Sequence, residues 1–178
     1  MFVRSLFEWL NETSMSVALR ESIYGYPISL TSHVVSMCLI AGLLVMMDLR
    51  LTGLGNLKTS VSDIQNRLFP WQMIGLAMAV ISGGALFFAQ PMRFYVNFWF
   101  WIKMLLMLLA LVNAMWFHNT IYQSVAQWDT DARPPKAARL AGLFGLLLWS
   151  GVIVTGRMIA YSGLVPQWWK DLNLDGMG

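Results

Sequence analysis

Two histidines, a lysine and an arginine stand in or at the ends of long apolar runs: His33, Lys103, His118 and Arg157. Imidazole nitrogen ligates iron and other transition metals. Ammonium and guanidinium groups hold anions. A charged side chain at the centre of a membrane-spanning helix costs about 2.5–3.5 kcal/mol on insertion scales, so each cation needs a partner or a route to water. No Asp or Glu lies between residues 70 and 128 or between 132 and 170. The runs carrying Lys103 and Arg157 therefore bring no carboxylate of their own.

The elements that must position these groups follow from the apolar patterning. The chain has 178 residues, 57% hydrophobic and 12% charged, which is too apolar for an ordinary soluble domain and fits a single integral membrane domain over residues 1–178. Four spans are expected, at about 27–48, 70–89, 95–118 and 139–161. Pro27 and Pro70 suit first helical turns, because their missing donors would be unpaired there anyway. Gly53 and Gly55 mark the turn after the first span, and Pro134-Pro135 breaks the chain before the fourth. A short helix is expected over Ser60–Leu68, Gln90–Phe94 reads as a tight connection, and the third helix is expected to run on toward Trp128.

The N-terminal MFVRSLFEWLNETS is interrupted by Arg4, Glu8 and Glu12, so it reads as an amphipathic helix in the interface rather than a cleavable signal. Asn11-Glu12-Thr13 matches a glycosylation pattern. Trp168-Trp169-Lys170 reads as a second interfacial anchor, followed by a loose polar tail over the last eight residues. The fold class is all-α: four transmembrane helices in an antiparallel bundle plus the N-terminal interfacial helix. Gly75, Ala79 and Gly83 form a small-residue stripe, either a packing seam or the wall of a pocket for a flat ligand. Cys38 reads as small apolar packing.

Depth and helical phase sort the candidates into two layers. His33, Lys103 and Arg157 fall near one end of their spans, and Asp48 and His118 near the other, with Asn113 one turn above His118. Haem b would satisfy the first layer, supplying propionates to Lys103 and Arg157 and an iron to His33. The alternative is that both cations snorkel to the interface and His33 bonds Ser36, Thr31 or a helix carbonyl. His118 is either a second ligand or a hydrogen-bond partner of Asp48. The two histidines lie at opposite ends of antiparallel spans, about 20 Å apart, so one iron cannot take both within one chain. One haem or two is open, and a two-fold oligomer could pair a histidine with its own copy.

Other chemistries have less support. The 13 methionines mostly occupy apolar helix positions and form no loop cluster for Cu(I). There is no phosphate-binding glycine loop, zinc spacing or Ser-His-Asp arrangement. The +3 net charge is scattered, which excludes nucleic acid as a partner. The loops holding residues 48–69 and 118–139 carry six Lys and Arg against four on the other side, which places both termini outside the cytoplasm.

YPISLTSHVV, DLRL, FPWQ, IKMLLMLLALVNAMWFH and GRMIAY resemble, from about Phe7 to Tyr161, an uncharacterised family of small bacterial four-helix inner-membrane proteins. The chain is also distantly similar in build to copper-resistance D proteins and four-helix b-type cytochromes. Those cytochromes pair histidines on facing helices at two depths, whereas only two histidines are present here. The resemblance implies a four-span, multi-pass protein of the bacterial inner membrane, and the Lys and Arg distribution makes both termini periplasmic. The combined expectation is a haem b electron-transfer protein in the lipid bilayer, as a homo-oligomer or a subunit of a membrane redox complex. A non-catalytic subunit of a larger complex, using the small-residue stripe or the N-terminal helix as a contact, and a transport module for an anion, quinone or copper are the alternatives. Whether the chain is an enzyme is left open.

Overall fold

The computed structural model describes residues 2–174. Every regular element among them is helical: α1 (Phe2–Glu12), α2 (Ser14–Glu21), α3 (Gly25–Thr52), α4 (Val61–Ala89), α5 (Pro91–Tyr95), α6 (Phe98–Trp116), α7 (Lys136–Met158) and α8 (Gln167–Leu174). Beyond α6 the helix continues as a π turn, Phe117–Ile121, and a 3-10 stretch, Tyr122–Gln127. Four stretches are long and apolar enough to cross a bilayer: Gly25–Thr52, Val61–Ala89, Phe98–Gln127 and Lys136–Met158. The protein is an all-α, multi-pass membrane protein.

The second span starts nine residues before Pro70, because the short helix expected at Ser60–Leu68 is its first part. Proline inside a helix leaves the carbonyl four residues earlier without a donor. Here that residue is Asn66, which is exposed and can be solvated. The Gln90–Phe94 connection holds a helical turn, with Pro91 at its start. The loose tail is corrected in part: residues 171–174 belong to α8, and 175–178 lie outside the described residues. Cys38 is exposed, contrary to the packing expectation.

The chain gathers into two compact units of interleaved segments. The first comprises residues 2–36, 77–103 and 154–174, and the second Met37–Leu76 and Met104–Ile153.

In the first unit, Phe7 of α1 is buried among Phe87, Tyr95 and Trp101, with ring centroids 5.5, 5.0 and 6.4 Å away. Val3, Leu6 and Trp9 stay exposed, so α1 keeps an apolar face for the interface. The Asn11-Glu12-Thr13 triplet is structural. Thr13 caps α2, accepting from the Ser16 amide at 3.3 Å, and Asn11 accepts from Arg20 at 3.0 Å.

The second unit is built on Met47, Leu51, Val61, Ile64, Ile121 and Trp128 together with Ala138 and Ala141. A polar lock closes its loop end. Arg50, 0% exposed, donates from Nε to the Thr59 carbonyl (2.8 Å) and from Nη2 to the Asp129 carbonyl (3.1 Å). The Asp129 carboxylate accepts from the Ser62 amide (2.7 Å) and the Ser62 hydroxyl (2.5 Å), and so caps α4 from 67 residues away in sequence.

Desolvation pushes Asp129 upward, but the Ser62 and Val61 hydrogen bonds and the Arg50 charge outweigh it and hold the carboxyl below the ordinary range. A depressed folded pKa gives stability that is full above the unfolded value of about 3.9 and is lost as pH falls through the folded one. In detergent melts, Asp129→Asn is therefore expected to cost about 1 kcal/mol near neutral pH. Below about pH 4 the gap to wild type should narrow. A gap that stays constant down to acid pH would refute this account of the lock.

Candidate functional site

In the first unit α3 brings His33 against α4. The ring lies over Gly83, where a Cβ would meet Cε1 at 3.0 Å and Nδ1 at 3.3 Å. Nδ1 is 3.2 Å from the Ser82 hydroxyl oxygen, and the Ala79 carbonyl is a further partner of the ring. Ser82 donates its own proton to the Met78 carbonyl at 2.6 Å. With the Ser82 proton on that carbonyl, an Nδ1–H tautomer of His33 would donate to the hydroxyl and leave the Nε2 lone pair free. Ser36 bonds the His33 carbonyl (2.9 Å) rather than the ring.

The stripe Gly75, Ala79, Gly83 is thus a seam that receives α3. In the second unit Gly75 performs the same office for Ile40, whose Cβ would lie 3.3 Å from an added methyl. Both glycines are covered by α3. Ser82 was absent from the sequence expectation. Its neighbour Gly83 was the one signal that this turn faces α3.

Lys103 shares the first unit with His33. It is half-buried on α6, and its stem lies along Gly156 of α7, with Nζ 3.6 Å from where a Cβ there would sit. Among the described residues no hydrogen bond or ion pair takes up the ammonium. Arg157, the next residue after Gly156, points elsewhere. It is exposed, donates to the Tyr161 hydroxyl at 3.0 Å and stacks 5.3 Å over that ring. The structure therefore brings His33 and Lys103 together and leaves Arg157 on the outer face of α7.

The other candidates fall in the second unit and do not form one site. Asn113 donates to the Ala141 carbonyl at 3.0 Å and ties α6 to α7. His118, in the π turn, is exposed and stacks on Tyr122 with centroids 5.5 Å apart. The expected His118–Asp48 pair is corrected: Asp48 faces α7, its carboxylate pressed on Gly145, and its buried Oδ2 has no hydrogen-bond partner. The reason is helical phase. The inward residues of α6 are Ala110, Asn113 and Phe117, which puts Lys103 at one edge of the inward face and carries His118 about 100° from Phe117 to the outside. Among the described residues no group of three or more His, Cys, Asp or Glu side chains converges on a metal position.

A family profile described as a family of unknown function, DUF6644, matches residues 6–162, most of the chain. The chain belongs to DUF6644. His33, Asp48, Lys103, Asn113, His118 and Arg157 all lie inside the stretch that defines DUF6644, whereas α8 lies beyond it. No curated protein and no solved structure matches the chain.

Proposed function

We propose that this DUF6644 member binds haem b in its first unit and passes single electrons within the membrane. One observation carries the reading. An imidazole whose Nδ1 is held 3.2 Å from the Ser82 hydroxyl shares a unit with an ammonium that, among the described residues, no acid answers. A metal-ligating histidine commonly has its second nitrogen fixed in this way, and haem propionates are the kind of anion a half-buried lysine would hold.

The donor set fits the group. His33 would ligate the iron, Ser82 would hold its ring, and Lys103 would offset propionate charge. Arg157, engaged by Tyr161, remains an interfacial cation in this reading. When bound, the haem supplies a one-electron couple. Any further ligand to the iron would come from a second copy of the chain or a small molecule. The setting that goes with this reading is a bacterial inner membrane, both termini outside the cytoplasm, in a homo-oligomer or a redox complex. The Lys and Arg distribution supports that orientation.

The test is the reduced-minus-oxidised visible spectrum of protein expressed with ample haem. A Soret band is expected, lost in His33→Ala and retained but shifted in midpoint potential in Lys103→Gln. A folded, colourless wild-type protein would overturn the reading.

A further inference from the structure

The first unit holds a cavity that neither His33 nor Lys103 lines. Around α5, the start of α6, the end of α7 and α8 it leaves a cleft of about 410 Å³. Its walls are apolar: Val96, Ile159, Ala160 and Val165. Its charged groups are two cations, Arg93 and Lys170.

The cleft is braced by bonds that need no ligand. The Trp169 indole donates to the Val96 carbonyl at 2.9 Å, and the Trp99 indole to the Leu164 carbonyl at 2.9 Å. Asn97, also lining the cleft, donates to the Ile159 carbonyl at 3.1 Å. Backbones on several sides are therefore held at fixed spacing before anything binds, which lowers the ordering cost of binding.

The charges are not consumed internally. Arg93 gives one nitrogen, Nη1, to the Gln90 side chain at 2.9 Å and keeps its other donors. The Lys170 ammonium forms no hydrogen bond or ion pair among the described residues. No acid lines the cleft, and Asp171, beside Lys170 in sequence, accepts from Gln167 at 2.8 Å. Exposed Trp168 and Leu164 stand next to this site in sequence and give its surroundings the aromatic and aliphatic character of a membrane interface.

Two cations over an apolar wall at an interface match an amphiphile with a phosphate on it. We infer that this cleft binds the headgroup of an anionic phospholipid, its phosphate on Arg93 and Lys170 and its glycerol and first methylenes along Val96, Ile159 and Val165. Arginine and lysine together are suited to phosphate, and basic residues at a bilayer surface select anionic lipids. The site is independent of haem, so either proposal can fail alone.

The experiment is native mass spectrometry of delipidated full-length protein titrated with phosphatidylglycerol, with phosphatidylcholine and with inorganic phosphate. Wild type, Arg93→Gln/Lys170→Gln and a control Lys58→Gln in the loop before α4 are compared. The expected result is binding of phosphatidylglycerol at least ten-fold tighter than phosphatidylcholine, reduced about ten-fold in the double variant and unchanged in the control. If inorganic phosphate binds comparably and loses affinity in the double variant, the phosphate chemistry stands and the source is a soluble anion rather than a lipid. Equal binding of phosphatidylglycerol to wild type and the double variant, or no preference over phosphatidylcholine, overturns the site.

Discussion

Gly142→Ala is expected to destabilise the second unit by about 3 kcal/mol, and no change of the Asp48 side chain should rescue it. The added Cβ would lie 2.8 Å from the Asp48 backbone carbonyl oxygen and 2.9 Å from Leu51 Cβ, so α3 and α7 would have to part. Gly145→Ala presents the opposite case. Its Cβ would collide with the Asp48 carboxylate, with Cγ 2.7 Å away, and not with α3 backbone. Asp48→Ala clears that obstacle and also removes a buried oxygen without a hydrogen-bond partner, so alone it should cost little. A double-mutant cycle read by denaturation in detergent should give a coupling above about 1 kcal/mol for the 145/48 pair and near zero for 142/48. Equal rescue at both positions would show that the contact of α3 with α7 is not set by backbone approach.

Loss of the Arg50 guanidinium should be at least as damaging. Arg50→Met is expected to cost about 3 kcal/mol or more, because two charge-assisted hydrogen bonds disappear, the Thr59 carbonyl loses its donor and the Asp129 carbonyl keeps only the Val61 amide. Arg50→Lys should recover little, since a single ammonium cannot reproduce a fork that reaches two carbonyls from different loops. Limited trypsinolysis would report the same event locally. Release of the segment after α3 should expose Lys58 to cleavage in both variants and not in wild type. A wild-type digestion pattern in Arg50→Met would rule out the lock as what holds that segment.

The spans were legible because their signals are local: apolar runs of sufficient length, prolines near their starts, and glycines and a Pro-Pro pair between them. The seam on α4 was legible too, since small residues four apart have few other uses in a helix. What escaped depended on partners that no local pattern encodes. Arg50 reads as a loop cation of the positive-inside kind, yet its bonds go to backbone carbonyls 9 and 79 residues away. Asp129 reads as a polar breaker before Pro134-Pro135, yet it caps a helix that begins at Val61. The candidate site was half legible. Depth alone grouped His33 with Lys103, and both fall in one unit. Phase decided the rest. Arg157 is one residue beyond Gly156, and that single step of about 100° turns it from the Lys103 side to the surface.

The widened turn at Phe117–Ile121 is followed at once by the tighter winding of Tyr122–Gln127. One underwinds the chain and the other overwinds it. Ala110 and Trp128 are both buried in the second unit, on either side of this irregular stretch. A π turn fits about one more residue than an α turn into the same rotation, so deleting one residue from Phe117–Ile121 is expected to leave an ordinary α turn, with Trp128 still in the core and Asp129 still at its helix.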